Sequence, residues 1–425
     1  MLLCATQFVV VLDATIVAIA LPAIRRSLGL ETEALQWVVT AYALTFGGLL
    51  VAAGRAADLF GRRRLFCAGL LVFGGASLAC GLAPSGIALV TARAVQGIGA
   101  AIQAPAAFAL LAATFSEPDA RRRAVAWWTA AAAGGGASGW LAGGVLVGTL
   151  GWPAVFLVNL PLCAAGVALA PRLLTESRAD GPRQRLDLAG AVAVTVGLAL
   201  IVHGLTRLDA VATAASLAGG VLALVAFARI ERRAEAPILP PWALRRPGFS
   251  VANAAAIALT ATTTPAMFLS ILYQQEVLDR SPLEVGLWCA PFNVAVIAGS
   301  MLRPRWPPRA VMAGGLAMVG TGALVLATLT PIALLAGVLV MGAGLGCASV
   351  ASTASGTAAL PAAAQGIASG VLSAAAQVGT AIGVAVLVTL ADPIGYRGAL
   401  VATAASAIAV AAWLRSRATV AYTVG

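Results

Sequence analysis

Asp13 is the residue whose type and position most clearly indicate chemistry. It lies in the middle of the apolar run 2–24, which covers 23 residues. At about 1.5 Å per residue this run makes about 34 Å of helix, enough to span the ~30 Å hydrocarbon core of a bilayer. A charge near the midplane costs roughly 2.5–3.5 kcal/mol on insertion scales, and a carboxyl group escapes that cost by binding a proton or a cation. Both routes favour a carboxyl that cycles between protonation states; the alternative is an Asp that only hydrogen-bonds a neighbouring helix.

Arg93 is the second residue that could take part in this chemistry. By helical rise it lies about 9 Å inside the outer end of the fourth apolar span, whereas Asp13 lies about 17 Å from either end of its own span. The axial difference of about 8 Å is within reach of an arginine side chain, directly or through water. A nearby guanidinium lowers the proton affinity of a carboxyl and burial raises it. A change that separates the two groups would therefore load a proton, and their reunion would release it; the alternative is an arginine that extends to the outer membrane surface.

The composition places both residues in a membrane protein. The chain has 425 residues, of which 60% are hydrophobic and only 10% charged, far from the composition of soluble domains. Apolar runs bounded by arginine, proline and glycine predict fourteen membrane-spanning helices and therefore an all-α polytopic membrane protein. The predicted spans are 2–24, 34–53, 65–83, 87–114, 124–149, 153–171, 187–206, 210–228, 249–274, 284–302, 309–328, 331–352, 366–390 and 398–414.

The arginines predict the orientation of these spans. All 27 basic residues are arginines; with both termini inside, 21 lie on the inner side, five on the outer side and Arg93 within a span. This asymmetry follows the positive-inside rule, so we expect a multi-pass protein of the cytoplasmic (inner) membrane with both termini cytoplasmic. Met1 leads directly into a span too long for the core of a signal peptide and without a basic front end. We therefore expect a retained first helix with a very short or absent N-terminal tail.

Two long inner connections, 171–186 and 230–250, divide the spans into groups. Spans seven and eight lie between them, and removing this pair leaves six spans before it and six after it. Such a layout is typical of the internal repeats of transporters. We therefore predict an N-terminal six-helix half at 1–173, two inserted helices with flanking cytoplasmic loops at 174–248, and a C-terminal six-helix half at 249–425.

The remaining reactive residues predict neither a metal site nor catalysis. The six cysteines lie far apart without a C-x-x-C pair, and His203 is the only histidine, so it is expected in packing or at an interface. No Ser/His/Asp set, paired carboxylates or phosphate-binding loop is recognisable. We expect no enzyme activity, no metal and no cofactor. The net charge of +11 follows the membrane topology and does not indicate nucleic-acid binding.

The inner loop after the second span has the residue types of a gate. The segment 54–64 reads GRAADLFGRRR. Its glycines permit a tight turn and close helix approach, and Asp58 among arginines can form charge-assisted hydrogen bonds that hold one conformation and are released in another. The alternative is a plain positive-inside anchor. The candidate gating residues are Gly54, Asp58, Gly61, Arg62 and Arg63. The segment resembles the signature G-x-x-x-D-R-x-G-R-R of the major facilitator superfamily, with Leu59 in place of the usual basic residue.

Further motifs resemble the fourteen-helix drug:proton antiporters of that superfamily. Segment 12–22 (LDATIVAIALP) is similar to their first-helix signature L-D-x-T-I-V-N-V-A-L-P, with Ala18 for the usual Asn, and segment 93–100 (RAVQGIGA) is similar to R-x-x-Q-G-x-G-A. Other similar segments are WVVTAY (37–42), FLVNLP (156–161), YQQ (273–275), SPL (281–283) and QVG (377–379). The resemblance covers nearly the whole chain. It implies a 6+6 helix bundle with two inserted helices and a proton-coupling role for Asp13 and Arg93.

The fifth span carries a glycine stripe. Glycines at 135, 139 and 143 recur every four residues, and such stripes let membrane helices approach closely. The resembling antiporters carry G-P-x-x-G-G here, which reads GWLAGG at 139–144. Trp140 restores the backbone donor that proline lacks, so we expect a straighter helix, with the ring either facing a cavity as a stacking surface or packing toward lipid or a neighbouring helix. The candidate packing residues are Gly135, Gly139, Gly143 and Gly144.

Aromatic and amide side chains within the spans suit a cavity that holds an amphiphile by stacking and a few hydrogen bonds. Each alone is more often a helix–helix contact. The candidate cavity residues are Gln36, Gln96, Gln103, Trp140, Phe268, Tyr273, Gln274, Asn293 and Gln377.

These features together predict a transporter that exports lipophilic drugs or antibiotics in exchange for protons by alternating access. We expect it to be driven by the proton gradient and to act as a monomer. An uptake symporter of the same fold is one alternative, and it would lack the glycine signature of the fifth span. A membrane-embedded lipid-modifying enzyme would need clustered histidines or acids, and a non-transporting sensor would usually carry a soluble domain.

Overall fold

The chain folds into long apolar helices. The computed structural model describes residues 1–115, 117–178, 186–206, 209–234, 237–302, 305–361 and 364–419, and the regular structure within these ranges is helical. Fourteen helices are long and apolar enough to cross a membrane. A helix satisfies its backbone hydrogen bonds within one segment, as hydrocarbon requires. Every predicted span overlaps one of these helices, which extend past the apolar runs by as much as about two turns. The predicted all-α polytopic membrane fold is therefore confirmed.

Ten helices precede residue 247. They are α1 (Leu2–Leu28), α2 (Thr32–Phe60), α3 (Arg62–Gly81), α4 (Gly86–Thr114), α5 (Pro118–Leu150), α6 (Ala154–Leu157), α7 (Asn159–Leu173), α8 (Leu188–Thr206), α9 (Ala210–Glu231) and α10 (Pro241–Leu244). Helices α6 and α7 share the sixth candidate span and are separated at Val158. The predicted inserted pair corresponds to α8 and α9.

Six further helices follow. They are α11 (Pro247–Leu272), α12 (Pro282–Met301), α13 (Pro308–Leu326), α14 (Pro331–Ala358), α15 (Gln365–Thr389) and α16 (Ala391–Thr419). A π-helical turn, Tyr273–Val277, continues α11. Gly395, with φ 71°, introduces a kink near the start of α16.

The chain forms two compact units with the same internal helix pairing. One comprises Met1–Ile201, Ala214–Ile238 and Ser281–Gly286, and the other Val202–Thr213, Leu239–Arg280 and Leu287–Gly425. In the first unit α5 packs on α1, and α3 packs on α4 and α7; in the second, α15 packs on α11, and α13 packs on α14 and α16. This recurrence is what an internal repeat would produce. The domain boundaries at 173 and 248 stay predictions.

The glycine stripe of α5 lies directly against α1. A Cβ at Gly135 would collide with the carbonyl oxygen of Phe8, and a Cβ at Gly139 would collide with the hydroxyl of Thr15. Gly143 continues this contact one turn further along. Because the side of α1 that meets α5 is fixed at backbone distance, the rotation of α1 about its axis is also fixed.

The other side of this part of α5 meets the first turn of α12. A Cβ at Gly144 would lie 2.7 Å from the Cα of Leu283, and Gly286 lies against the backbone carbonyl of Trp140. Helix α5 runs without interruption from Pro118 to Leu150, and the expectation of a straighter helix at Trp140 stays a prediction. Of the four packing glycines from the sequence, three therefore meet α1 and Gly144 meets α12.

The α1–α5 contact generates a stability prediction. Gly139→Val should lower the stability of the purified protein by about 1–3 kcal/mol, because overpacking forces the two helices apart. The measurement is the midpoint of thermal unfolding in detergent. Gly148→Val is the matched control on the same helix, since a Cβ at Gly148 meets nothing within 4 Å. Equal effects of the two substitutions would show that the contact with α1 does not limit side-chain size at Gly139.

Candidate functional site

Asp13 lies at the centre of a buried polar cluster in the first unit. Its side chain is inaccessible to solvent. Oδ2 accepts a hydrogen bond from Arg93 Nη1 at 2.6 Å, an ion pair in which both side chains are almost fully buried. Burying either charge alone in a medium of low dielectric constant is very costly. Buried together, the carboxylate and the guanidinium compensate each other's charge.

Two amides hold the second oxygen of the carboxylate. Gln96 Nε2 and Asn159 Nδ2 each donate to Asp13 Oδ1 at 2.8 Å. Both amides also reach the hydroxyl of Ser77, at 2.9 Å from Gln96 and 3.4 Å from Asn159. Helices α1, α3, α4 and α7 thus each contribute one or two side chains, and hydrogen bonds of this kind favour the ionised carboxylate.

Arg93 is held by groups other than the carboxylate as well. Its Nε donates to the backbone carbonyl of Val38 at 2.8 Å. Its guanidinium carbon lies 4.3 Å from the ring centroid of Tyr42 and 5.8 Å from that of Phe156, both within the range of cation–π attraction. The guanidinium therefore keeps several partners when the charge on Asp13 is neutralised.

Small residues on α4 bring these groups together. A Cβ at Gly97 would collide with the carbonyl of Tyr42 on α2, and a Cβ at Gly99 would lie 2.5 Å from the backbone nitrogen of Phe73 on α3. Arg93 and Gln96 are three residues apart and so project from the same face of α4. The sequence R-x-x-Q-G-x-G thus combines two polar side chains with the close approaches that bury them.

The cluster includes residues that sequence reasoning assigned elsewhere or missed. Arg93 meets Asp13 directly, without a bridging water. Gln96 was a candidate for the substrate cavity, but the structure places it in the Asp13 cluster, bonded also to Arg93 at 2.6 Å. Asn159 and Ser77 were not assigned a role. An amide within an apolar span was the available signal for Asn159, but nothing in the sequence indicates which helix it faces.

The inner loop contains an ion pair and a helix cap. Arg62 Nε and Nη2 both donate to Asp58 Oδ1, at 2.9 and 2.8 Å. Gly61, with φ 112°, joins α2 to α3 in a conformation that favours glycine. The carboxylate of Glu176, which sequence reasoning missed, accepts the backbone N–H groups of Arg63 and Arg64 at the start of α3. Gly54 faces the Pro105 ring of α4.

The other candidate cavity residues are divided between the two units. In the first, Gln36, Gln103 and Trp140 are buried, and neither amide atom of Gln103 nor the indole N–H of Trp140 has a partner among the described residues. In the second, Gln274 bonds to Ser270 and accepts from Arg280 at 2.8 Å.

The last four candidates also belong to the second unit. Phe268 is buried, Asn293 and Gln377 are half-buried, and the ring of Tyr273 packs against that of Tyr396 with centroids 5.6 Å apart. The assignment of all nine to a substrate cavity stays a prediction, and Gln96 and Gln274 already have side-chain partners.

In the described part of the chain, fourteen apolar helices and a buried ion pair within the first unit are typical of a multi-pass membrane protein of the transporter class. The chain matches the Major Facilitator Superfamily over residues 3–304, and it belongs to that superfamily. The resemblance found in the sequence motifs is therefore confirmed.

Relatives and fold neighbours agree with this membership. The chain is 39% identical over 364 residues to puromycin resistance protein pur8 of Streptomyces alboniger, covering 81% of this chain and 71% of that protein. It is 40% identical over 326 residues to cephamycin export protein CmcT of Amycolatopsis lactamdurans, covering 75% of this chain and 67% of that protein. A crystal structure of a POT peptide transporter in complex with sulfate shares the fold, with a TM-score of 0.74, 19% identity and coverage of 98% of this chain and 94% of that one.

The inner loop generates a kinetic prediction. The predicted gating role implies that Asp58→Asn lowers the transport rate more than substrate affinity, since a gate biases conformations without contacting substrate. Stability should change by less than about 1 kcal/mol, since the pair is partly exposed. Rates are measured in vesicles and affinity by equilibrium binding. Asp119→Asn is the control, because Asp119 forms a similar exposed pair with Arg122. A fall in affinity with unchanged turnover of bound substrate would contradict the gating role of Asp58.

Proposed function

We propose that this chain exports lipophilic antibiotics or drugs across the cytoplasmic membrane in exchange for protons. The observation that carries the proposal is the Asp13–Arg93 ion pair, a titratable group buried at the middle of a membrane-spanning helix. Intramembrane acids of this kind are expensive to bury and typically serve proton or ion coupling. The names of the relatives, which refer to puromycin resistance and cephamycin export, support antibiotics as the substrate class.

The geometry supports a simple coupling step. Protonation of Asp13 neutralises the carboxylate and breaks its ion pair with Arg93, while Val38, Tyr42 and the amide of Gln96 still hold the guanidinium. The buried cluster then changes from no net charge to one positive charge. A buried positive charge without a counterion favours a conformation that brings it into contact with water or an anion. Substrate and proton thereby bias the protein toward different conformations, which is the requirement for exchange by alternating access.

Export is favoured over uptake by two observations. The chain carries the antiporter-type glycine signature at 139–144, and its stripe seals α5 against α1 at backbone distance. The relatives named above are resistance and export proteins. We propose a transporter rather than an enzyme, with small lipophilic molecules and protons as its partners and no cofactor. We further propose a monomer with both termini in the cytoplasm.

The first functional prediction concerns coupling. Asp13→Asn should insert in the membrane and abolish export driven by a pH gradient, because the amide cannot take up the proton. Arg93→Ala should also impair coupling, whereas Arg93→Lys should retain part of it because a positive charge remains. The assay is uptake of puromycin into inverted membrane vesicles with an imposed pH gradient.

Asp392→Asn serves as the control, because Asp392 is an exposed acid in the first turn of α16. Thermal unfolding of each purified variant separates loss of coupling from loss of folding. Full pH-driven transport by Asp13→Asn would refute the coupling role, and failure of the parent protein to transport puromycin would count against the proposed substrate class.

The second functional prediction concerns substrate charge. Within the described part of the chain, Asp13 is the acidic residue that lies deep inside a membrane-spanning helix. The other described acids lie near helix ends or in connections between helices. One buried carboxylate, shared with a proton, suits neutral or singly cationic lipophiles, whereas a dication would leave a second buried charge uncompensated. Initial export rates should therefore be much lower for a bis-quaternary ammonium compound than for a mono-quaternary compound of similar size. Equal rates would show that the substrate charge is not balanced by Asp13 alone.

A further inference from the structure

Both the nitrogen and the oxygen of the Gln96 side-chain amide have hydrogen-bond partners in the Asp13 cluster. The nitrogen donates to Asp13 Oδ1 and to Ser77. The oxygen accepts from Arg93 Nη1 at 2.6 Å and from the thiol of Cys80 at 3.8 Å. Rotation of this amide by 180° would turn its N–H groups toward the guanidinium, which has no acceptor. Gln96 is therefore fixed in one orientation.

Asn159 differs from Gln96 in this respect. Its Nδ2 donates to Asp13 Oδ1 and lies 3.4 Å from Ser77 Oγ, but its Oδ1 is buried and has no hydrogen-bond partner among the described residues. The orientation itself is required while Asp13 is ionised, because a carboxylate only accepts hydrogen bonds. An unsatisfied buried carbonyl is unfavourable, and it leaves Asn159 with an unused acceptor beside a titratable group.

Protonation of Asp13 changes which hydrogen-bond partners its carboxyl group needs. The carboxylic acid carries an O–H donor, and a buried donor needs an acceptor. Arg93 offers only donors, and the amide oxygen of Gln96 already faces the guanidinium. The hydroxyl of Ser77 gives its proton to the carbonyl of Phe73 at 2.8 Å and receives the Gln96 amide. Among the side chains already bonded to Asp13, Asn159 is the one whose oxygen has no partner among the described residues.

We propose that Asn159 reads the protonation state of Asp13 by rotating its side-chain amide. With the carboxylate, Nδ2 donates to Asp13; with the acid, Oδ1 accepts from the new O–H group. The proton binds Asp13 and stays there, and no covalent bond of Asn159 changes. This inference rests on the proposed proton coupling and assigns Asn159 as a positioning residue for it.

The rotation has a consequence for helix packing. In the ionised state the Asn159 amide bridges Asp13 on α1 and Ser77 on α3, and in the protonated state Nδ2 turns away from both. Asn159 is the first residue of α7, directly after the interruption at Val158, and Pro161 provides no N–H for the helix ladder. The polar link from the start of α7 to α3 is therefore present in the ionised state and lost in the protonated state.

The other titratable groups near Asp13 do not compete for this role at working pH. They are Arg93 on α4, Tyr42 on α2, Cys80 on α3 and Cys163 on α7. Helix α5 meets α1 through glycines. Arginine stays charged, and the phenol and thiols ordinarily titrate above neutral pH. Asp13 is the carboxyl group of this set.

The test is infrared difference spectroscopy of the purified full chain between neutral and acid pH, without any substrate. In the parent protein a carboxylic acid C=O band should appear on acidification, accompanied by a shift of an asparagine side-chain amide C=O band to lower wavenumber as it gains a hydrogen bond. Because the other acids of the chain also protonate, the acid band of interest is the part of the signal that Asp13→Asn removes, and the amide shift should be lost with it. Asn159→Leu should keep the acid band and lose the amide shift, whereas Gln96→Leu should keep both.

Asn159→Ser provides a second variant if Asn159→Leu does not fold. It also removes the amide band, but its hydroxyl can donate to the carboxylate and accept from the acid. In pH-driven uptake of puromycin into vesicles, Asn159→Leu should lower the rate by about tenfold or more, as expected for the loss of a hydrogen bond to a charged group, and Asn159→Ser should recover part of it.

The pH dependence of transport separates the rotating amide from a fixed donor. Loss of a fixed donor weakens only the ionised state, so Gln96→Leu should move the midpoint of the pH profile to higher pH. The Asn159 amide serves both the ionised and the protonated state of Asp13. Asn159→Leu should therefore lower the transport rate with a much smaller displacement of the midpoint of the pH profile. An acid band from Asp13 without an accompanying Asn159 amide shift, or equal midpoint displacements in the two variants, would overturn the inference. Absence of the acid band in the parent would overturn the proposed coupling as well, which distinguishes the two failures.

Discussion

The buried ion pair between Asp13 and Arg93 is the interaction on which the rest of the first unit depends. Removing either charge from water is costly, and the attraction between the two offsets that cost only when the geometry is good and the remaining polar atoms are satisfied. The structure meets both conditions with a 2.6 Å contact, two amide donors to the carboxylate, and a carbonyl and two aromatic rings around the guanidinium. Breaking such a pair by removing one partner typically costs about 3–5 kcal/mol. In the proposed coupling step, protonation of Asp13 breaks this pair reversibly.

Close backbone contacts between helices give the Asp13–Arg93 pair its geometry. Both units contain such contacts, but only the first contains the pair. In the first unit glycines of α4 and α5 bring α1, α2 and α3 to backbone distance. In the second unit Gly379 and Gly383 of α15 pack against the backbone of α11 in the same way, and Thr260 donates to the carbonyl of Ala376 at 2.6 Å. Helices α11, α14 and α15, however, contain no acidic or basic residue. The two units therefore share this mode of helix packing, while the buried Asp13–Arg93 pair belongs to the first unit.

The sequence predicted the features that depend on local composition. Hydrophobic length gave all fourteen spans, because a bilayer imposes one length scale on every helix. A lone acid and a lone arginine inside apolar spans were visible for the same reason, since charge within hydrocarbon is exceptional. Ser77 and Asn159 were not identified, because polar uncharged residues are common in membrane helices and only the rotation and packing of α3 and α7 bring these two to Asp13. Glu176 was missed because it caps α3 from more than a hundred residues away.

The arrangement around Arg93 also explains how a protonated cluster could persist long enough to be useful. In the proposed cycle, protonation leaves one positive charge without a counterion in the interior, and an unsupported guanidinium would then move toward water at once. Here Val38 provides a backbone carbonyl, and the face of Tyr42 attracts the cation without any change in protonation. The charge is thus stabilised enough to remain in place, but less well than by a carboxylate. A moderate difference of this kind lets substrate binding decide which conformation follows, because a ligand shifts an equilibrium only by its differential affinity for the two states.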